Sequence, residues 1–400
     1  MTDDQHARPT ARPSAPAGIS RRLLLGAAAT AALSATAGTA QAAPRTAAAR
    51  SPRAAGADAR ALYIGTYSSS GGPGLGLATY DPATGAVTGT GSVAVADPSF
   101  LAVGSGDLLY TVNEYENTVS ALSTSGGPKV LNSSDTGGSG PCHLTVHAAG
   151  GHLLTANYDS GSVAVHALAA DGTLGDRTDL VQHTGSGPDP SRQSGPHAHM
   201  VLNDLAGSFV LAIDLGTDTI YTSTLDTGTG KLTAVSQAAT EPGAGPRHGA
   251  FHPSGRYLYV ANELGNTLTV CAYDPATGLV TPGASLPTVM PGDTGTERNY
   301  PAEAVVSPDG AFLYVSNRGD DSIARFSLDG DGGQPTLLDT VPAGGAYPRH
   351  IALAPGGDLL FAANQNSGTV TAFTRDATTG ALTSAGAPFA ATAAVCVLPR

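Results

Sequence analysis

Imidazole and guanidinium side chains recur in this sequence just after a proline, in segments that lie far apart along the chain. They occur in Pro141-Cys142-His143, Pro196-His197-Ala198-His199, Pro246-Arg247-His248 and Pro348-Arg349-His350. A histidine titrates near neutral pH and can act as a general acid or base. A guanidinium group binds a carboxylate or phosphate through paired hydrogen bonds. The pattern therefore indicates a site that binds an anionic ligand and transfers protons.

These segments belong to a phrase that repeats along the chain with a period of about 50 residues, as propeller blades do. Its clearest copy covers residues 245–262, and others start at Pro98, Pro141, Pro196, Pro301 and Pro348. Each copy has a short strand after the proline, a Ser-Pro-Asp-Gly or His-Pro-Ser-Gly turn, a strand ending in Asn, and two further alternating strands. Four antiparallel strands per unit make one blade.

The two ends of the repeat region predict a seventh blade in addition to these six units. Residues 61–67 look like the second strand of a blade that has no first strand, and residues 394–398 look like a first strand with nothing after it. Joining them closes the ring and removes a free sheet edge. The predicted fold is all-β, a seven-bladed β-propeller of four-stranded blades over residues 61–400, closed by the C-terminal strand in the N-terminal blade.

Alignment of the units gives two positions at the mouth of the central channel, which the first strand of each blade lines. At the start of the inner strand stand Phe100, His143, His199, His248, Glu303, His350 and Cys396. After the Asn that ends the second strand stand Tyr67, Glu114, Tyr158, Leu215, Glu263, Arg318 and Gln365. The alignment requires a one-residue insertion before His199. A ring so varied and yet polar indicates a ligand or catalytic site, and the alternative is a water-filled channel.

Composition excludes several classes of function and agrees with an all-β fold. The chain has 52 Gly, 28 Pro, no Trp and a formal net charge of −12. Because it has no Lys/Arg run, we expect neither nucleic acid nor an anionic membrane as a partner. Cys142, Cys271 and Cys396 are isolated, and we expect them to be buried small hydrophobic residues. His197 and His199 are the one short-spaced ligand pair, so we expect no metal and no cofactor.

The N-terminal segment has the pattern of a targeting sequence. Residues 20–25, Ser-Arg-Arg-Leu-Leu-Leu, form a twin-arginine motif, an apolar Ala/Leu stretch follows, and residues 40–42 form an Ala-Gln-Ala cleavage site. We predict an export signal over residues 1–42 and a disordered linker over residues 43–60. The mature protein is then secreted or extracytoplasmic, free of the membrane after cleavage. A closed ring needs no partner, so we expect a monomer.

Residues 61–400 resemble the lactonase family of seven-bladed β-propellers, which includes propeller-type 6-phosphogluconolactonase and carboxy-muconate lactonizing enzyme. The opening strand Tyr63-Ile64-Gly65-Thr66-Tyr67 and the closing strand Ala394-Val395-Cys396-Val397 look like those of the family. The site motifs look similar as well: Gly195-Pro196-His197-Ala198-His199, Gly245-Pro246-Arg247-His248, Ala261-Asn262-Glu263 and Ser316-Asn317-Arg318.

The resemblance implies a catalytic set of one His, two Arg and one Glu. These fall on His199, Arg247, Glu263 and Arg318, with His197 a possible substitute for His199. His199 would then be the base, Arg247 and Arg318 would bind the anionic arm or stabilise the oxyanion, and Glu263 would orient the His or protonate the leaving alkoxide. The remaining polar ring residues are expected to bind substrate: His143, His197, His248, Glu303, Arg349 and His350.

The resemblance thus implies a hydrolase that opens a lactone bearing an anionic or polyhydroxyl group, such as a sugar lactone. A phosphorylated sugar lactone is cytosolic, which disagrees with the export signal. Two alternatives are a cycloisomerase that forms or opens a lactone on a dicarboxylate, and an exported propeller that binds a ligand without turnover.

Overall fold

The computed structural model of the protein describes residues 59–292 and 298–400. The predicted export signal and nearly all of the predicted linker lie outside the described residues. The first strand begins at Arg60, the last residue assigned to that linker. Within the described part of the chain, no helix is both long enough and apolar enough to cross a membrane.

Seven antiparallel sheets of four main strands, one per blade, are arranged in a ring, as the sequence predicted. From the innermost strand outwards the blades are: Ala394–Pro399, Arg60–Thr66, Leu75–Tyr80 and Val87–Val93; Leu101–Val103, Leu108–Asn113, Thr118–Ser123 and Lys129–Asp135; Pro141–Val146, His152–Asn157, Ser162–Leu168 and Leu174–Gln182; Ala198–Asn203, Val210–Asp214, Thr219–Asp226 and Lys231–Ala239; Pro246–Phe251, Tyr257–Asn262, Thr267–Asp274 and Leu279–Pro287; Tyr300–Val306, Phe312–Arg318, Ser322–Ser327 and Thr336–Pro342; Pro348–Leu353, Leu359–Asn364, Thr369–Arg375 and Leu382–Ser384. We number the blades 1 to 7 in this order.

Short elements complete the described structure. A two-residue strand, Phe389–Ala390, also pairs with the third strand of blade 7. Two 3₁₀ helices, Ser68–Ser70 and Glu114–Glu116, follow the second strands of blades 1 and 2.

Blade 1 is built from both ends of the propeller, which confirms the predicted closure. The strand Ala394–Pro399 pairs antiparallel with Arg60–Thr66, and Val397 lies opposite Ile64. The backbone N–H of Arg400 donates to the carbonyl of Ala61 at 2.8 Å. Pairing both edges of the N-terminal strand leaves no open edge at the centre of this blade.

Apolar side chains fill the space between neighbouring sheets, because each strand alternates its side chains between two faces. Between blades 4 and 5, for example, Leu211 and Ile213 pack in one cluster with Leu258 and Val260, and all four are buried. Burial of one such side chain contributes roughly 1.5–3 kcal/mol. The blades are therefore held to each other mainly by their faces.

A β-bulge lies at the start of the inner strand in blades 3 to 7. In blade 5, Pro246 pairs with Asn262 and His248 pairs with Ala261, so Arg247 is an extra residue without a partner of its own. A bulge interrupts the strict alternation of side chains and redirects them locally. Arg247 and His248, although adjacent in sequence, consequently both reach groups of the channel.

The register of blade 4 corrects the sequence alignment by one residue. Ala198 pairs with Asp214 and Met200 pairs with Ile213, so His199 is the extra residue of this bulge. It therefore corresponds to Arg247, and Met200 takes the place that we had assigned to His199. The reason is local: the N–H of His197 donates to the Asp214 carboxylate at 2.8 Å, which holds the Pro196 segment ahead of the strand.

Candidate active site

Glu263 lies at the centre of the predicted mouth, directly after the second strand of blade 5, and is completely buried. Its Oε1 accepts a hydrogen bond from Arg192 Nη2 at 2.7 Å. Its Oε2 lies 2.5 Å from Arg318 Nη2 and 3.2 Å from Arg247 Nε. One carboxylate thus holds three guanidinium groups that come from three different parts of the chain.

The three ion pairs decide the protonation state of Glu263. Burial disfavours its charged form, but Arg318, Arg192 and Arg247 together lower the pKa of the carboxyl to about 2. A carboxyl with this pKa stays ionised at neutral pH and has no proton to give. The role of Glu263 as proton donor to a leaving alkoxide stays a prediction, which this pKa disfavours; its contacts are those of a residue that positions the arginines.

Backbone carbonyl groups and a tyrosine fix the guanidinium groups further. Arg247 Nη1 donates to the carbonyl of Ala302 at 2.8 Å, and Arg318 Nε donates to that of Tyr300 at 3.1 Å. Arg192 Nη2 also donates to the hydroxyl of Tyr158 at 3.2 Å. Because Arg192 is on the long connection between blades 3 and 4, outside the repeated phrase, our prediction did not include it in the site.

Arg349, the extra residue of the bulge in blade 7, is buried on the same side of the channel. Its guanidinium carbon lies 5.6 Å from the centroid of the Tyr67 ring, and the Tyr67 hydroxyl donates to Glu114 at 2.9 Å. Burial is the largest influence and lowers the pKa of Arg349, but the groups around it, Glu114 among them, together raise this pKa overall, so the guanidinium is charged. The charge of Arg349 also lowers the pKa of Arg247, so these two guanidinium groups lie near each other. Four guanidinium groups therefore share this region of the channel.

A second group of ring residues, the waist cluster, lies next to the arginines. It consists of Phe100, His143, His248, Glu303 and His350. His248 Nδ1 is 2.8 Å from Glu303 Oε2, and His350 Nε2 is 3.5 Å from the same oxygen. The His143 ring centroid lies 5.1 Å from that of His248. Burial lowers the pKa of each of these histidines, most strongly for His143 and His248, and favours neutral imidazoles.

His199 and His197 lie at the edge of the waist cluster. The ring of His199 is 5.0 Å from that of His248, and its Nδ1 is 3.7 Å from the sulfur of Cys142. Burial, with Arg247 next in importance, lowers the pKa of His199 well below its ordinary value. His197 is only half-buried, stacks on Tyr158 at 4.5 Å and bonds the Tyr158 carbonyl through Nδ1 at 2.9 Å.

The structure thus brings all ten predicted site residues together in the channel: the arginines, Glu263 and His199 lie towards its mouth, the waist cluster lies next to them, and His197 lies towards the rim. Arg192, Tyr158, Tyr67 and Glu114 join them as neighbours with polar contacts. No group of three or more His, Cys, Asp or Glu side chains is placed to hold a metal ion in residues 59–292 and 298–400. Cys142, Cys271 and Cys396 are free thiols and buried, as predicted.

A cavity of about 430 Å³ occupies the other half of the channel and is open at one side. Its walls are later residues of the inner strands, among them Phe251, Val306, Leu353 and Leu398. Glu303 and His350 also line it, so the waist cluster separates this cavity from the arginines.

Comparison with known protein families gives one match that spans the propeller. Residues 61–399 match the family model described as "Lactonase, 7-bladed beta-propeller". The chain is 34% identical over 290 residues to a 6-phosphogluconolactonase of Bacillus subtilis, covering 71% of this chain and 82% of the relative. It is 30% identical over 303 residues to a 6-phosphogluconolactonase of Formosa agariphila, covering 72% and 84%.

Solved structures agree with this match. A Lactobacillus plantarum protein superposes with a TM-score of 0.81 at 33% identity, covering 86% of this chain and 100% of that one. The periplasmic gluconolactonase of Pseudomonas aeruginosa superposes with a TM-score of 0.79 at 27% identity, covering 86% and 99%. The chain is therefore an enzyme of the lactonase family of seven-bladed β-propellers.

Proposed function

We propose that this enzyme hydrolyses a sugar lactone or a related lactone that carries an anionic or polyhydroxyl group. The observation that carries the proposal is the convergence of Arg192, Arg247, Arg318 and Arg349 on one end of the channel. The relatives named 6-phosphogluconolactonase and gluconolactonase support this substrate class. A cluster of guanidinium groups favours a substrate with negative charge, or one that develops it during the reaction.

Hydrolysis requires three tasks at this site. Arg247 and Arg349 bind the anionic arm of the substrate and stabilise the oxyanion that forms when water attacks the carbonyl carbon. A neutral imidazole accepts the proton of that water and returns it to the ring oxygen as the carbon–oxygen bond of the ring breaks. The product is a hydroxy acid, and water is the only other reactant. Arg247 is the charged group that acts most strongly on His199 and on His248, which makes these two imidazoles the candidates.

An assay on the purified propeller tests the proposal. The panel contains gluconolactone, its 6-phosphate and an uncharged alkyl lactone, at a pH where spontaneous opening is slow. We expect turnover that Arg247→Ala abolishes and that Arg256→Ala leaves intact, because Arg256 is an exposed arginine on a turn. Turnover that survives Arg247→Ala would refute the site, and no turnover of any lactone would refute the function.

The source of the oxygen separates hydrolysis from a cycloisomerase. A hydrolase run in ¹⁸O-labelled water must place one solvent oxygen in the carboxylate of the product. A dicarboxylate that closes to a lactone adds no water. Unlabelled product would therefore replace the hydrolysis proposal by the cycloisomerase.

We also propose that the enzyme works outside the cytoplasm. The twin-arginine pattern at Arg21 and Arg22 supports this, and a structural neighbour is named as periplasmic. Replacing both arginines by lysine should retain the full-length precursor inside the cell. Export of the double variant at the normal level would contradict the proposal.

A further inference from the structure

We propose that His248, held by Glu303, is the general base of the site. The inference rests on the proposed lactone hydrolysis and deepens it by choosing between the two imidazoles beside the arginines. Glu303 is a positioning residue, and His248 is the residue that contacts the attacking water.

The hydrogen bond between the two side chains fixes the tautomer of His248. Its Nδ1 lies 2.8 Å from Glu303 Oε2. Burial raises the pKa of Glu303, whereas His350 and Arg247 act in the opposite direction. In its ionised form the carboxylate accepts the hydrogen bond, so Nδ1 carries the proton and donates it, and Nε2 keeps a free lone pair. Nε2 is buried and has no hydrogen-bond partner among the described residues. A buried acceptor without a hydrogen-bond partner can accept a proton from a reactant.

His199 lacks this support. Its Nδ1 contacts the sulfur of Cys142, a weak hydrogen-bonding group, and it makes no ion pair with a carboxylate of the described residues. A base that becomes charged during the reaction is stabilised by a carboxylate behind it. Of the two candidates, only His248 has one within hydrogen-bonding distance.

The cavity in the other half of the channel reaches Glu303, one member of the pair. Glu303 lines that cavity, which lies opposite the arginines that would hold the substrate. Because Nδ1 of His248 faces Glu303, Nε2 lies on the other side of the ring, and in the proposal the attacking water is held there together with the substrate. In the step proposed, the water oxygen bonds to the carbonyl carbon, one water proton moves to Nε2, and the ring oxygen takes this proton when its bond to carbon breaks.

Several charged or titratable groups lie around His248. They are Arg247 on its own strand, Glu303 and Arg318 of blade 6, Arg349 and His350 of blade 7, His143 of blade 3 and His199 of blade 4. Burial and Arg247 lower the pKa of His248, and Glu303 is the carboxylate in contact with it. Loss of the Glu303 charge should therefore lower the pKa of the base further.

The test is the pH profile of kcat/KM on a panel lactone for wild type and the variants Glu303→Gln, His248→Gln and His199→Gln. We expect His248→Gln to lose turnover by about 10²- to 10⁴-fold, as loss of a general base does. Glu303→Gln should lose about 10²-fold and move the acidic limb to lower pH. His199→Gln should keep the acidic limb in place. Added imidazole should restore part of the turnover of a His248→Ala protein.

A matched control variant and the wild-type rate distinguish a wrong assignment of the base from a wrong proposed function. His147→Gln, on a turn of blade 3, should leave the profile as it is, and melting curves confirm that each variant is folded. Wild-type turnover with an unchanged profile in Glu303→Gln would overturn the pair alone. Loss of the acidic limb in His199→Gln would assign the base to His199. No wild-type turnover would overturn the proposed function and, with it, the base.

Discussion

Replacing Glu263 by glutamine removes the charge that holds three buried arginines and leaves the size of the side chain almost unchanged. Arg247 and Arg318 would then lose the carboxylate that pairs with each of them, and Arg192 would lose one of its partners, in a region closed to solvent. Removing one partner of a buried ion pair leaves the other charge uncompensated, and this usually costs about 3–5 kcal/mol. We expect Glu263→Gln to be the most destabilising isosteric change at the mouth.

The pKa of Glu263 gives a second measure of the stability that Glu263→Gln would lose. Its pKa falls from 4.5 to about 2 on folding. At 1.36 kcal/mol for each step of one in pKa, the ionised carboxylate stabilises the folded chain by about 3 kcal/mol. In a domain of this size, each kcal/mol changes the melting temperature by about 2 °C. The variant should therefore melt about 6 °C or more below wild type at pH 7.

The pH dependence has a definite sign. Because folding lowers this pKa, the stabilisation is fully present above the unfolded pKa near 4.5 and is lost as pH falls towards about 2. The difference in melting temperature between wild type and Glu263→Gln should thus be constant from pH 5 to 7 and shrink at pH 3. Inorganic phosphate should raise the melting temperature of the variant more than that of wild type, because it can replace the lost carboxylate.

Calorimetry at pH 7, 5 and 3, with and without phosphate, measures each of these differences. Glu241→Gln, at an exposed site between blades 4 and 5, is the matched control and should melt as wild type does. A Glu263→Gln protein that melts within 2 °C of wild type at pH 7 would refute the view that Glu263 is the counter-charge of the arginines. A deficit that stays the same at pH 3 would refute the assigned pKa.

Three further outcomes follow from the structure. Arg349→Met should raise KM for an anionic lactone about 10- to 100-fold, since a charged hydrogen bond contributes about 1.5–3 kcal/mol. It should change KM for an uncharged lactone much less, and equal effects on both substrates would contradict a charge-binding role. Deleting residues 394–400 should lower the melting temperature and broaden the transition, because blade 1 loses its inner strand; an unchanged transition would refute the importance of ring closure. A thiol reagent such as DTNB should not label Cys142, Cys271 or Cys396 in the folded protein, since burial raises the pKa of each thiol. All three should react in guanidinium chloride. Rapid labelling of the native protein would contradict their burial.

The fold could be predicted because the repeated phrase carries the same turns and strands in each copy. The ring residues could be predicted as well, since equal positions in equal blades meet at one channel mouth. The register of blade 4 could not. Residues Gly195 to His197 imitate the Gly-Pro-Arg sequence of blade 5, and a bulge leaves no mark in the alternation of so short a strand.

The pairing of side chains across blades was also beyond the sequence. Glu263 was assigned a chemical role because it aligns with a family motif, but its ion pairs come from blades 5 and 6 and from the connection to blade 4. The bond between His248 and Glu303 likewise joins two blades. An alignment of units describes each blade by itself, so it gives the members of the ring and not their partners.

The composite construction of blade 1 also imposes an order on biosynthesis. Within the propeller, the strand Arg60–Thr66 is made first, and its inner partner, residues 394–399, is made last. Until then the inner edge of the strand Arg60–Thr66 exposes unpaired backbone N–H and C=O groups, which can pair with strands of other chains. The ring can close only after the ribosome has finished nearly the whole propeller. A nascent chain that stalls before residue 394 therefore keeps an open ring with an unpaired sheet edge, which makes it prone to aggregation and a substrate for chaperones and proteases.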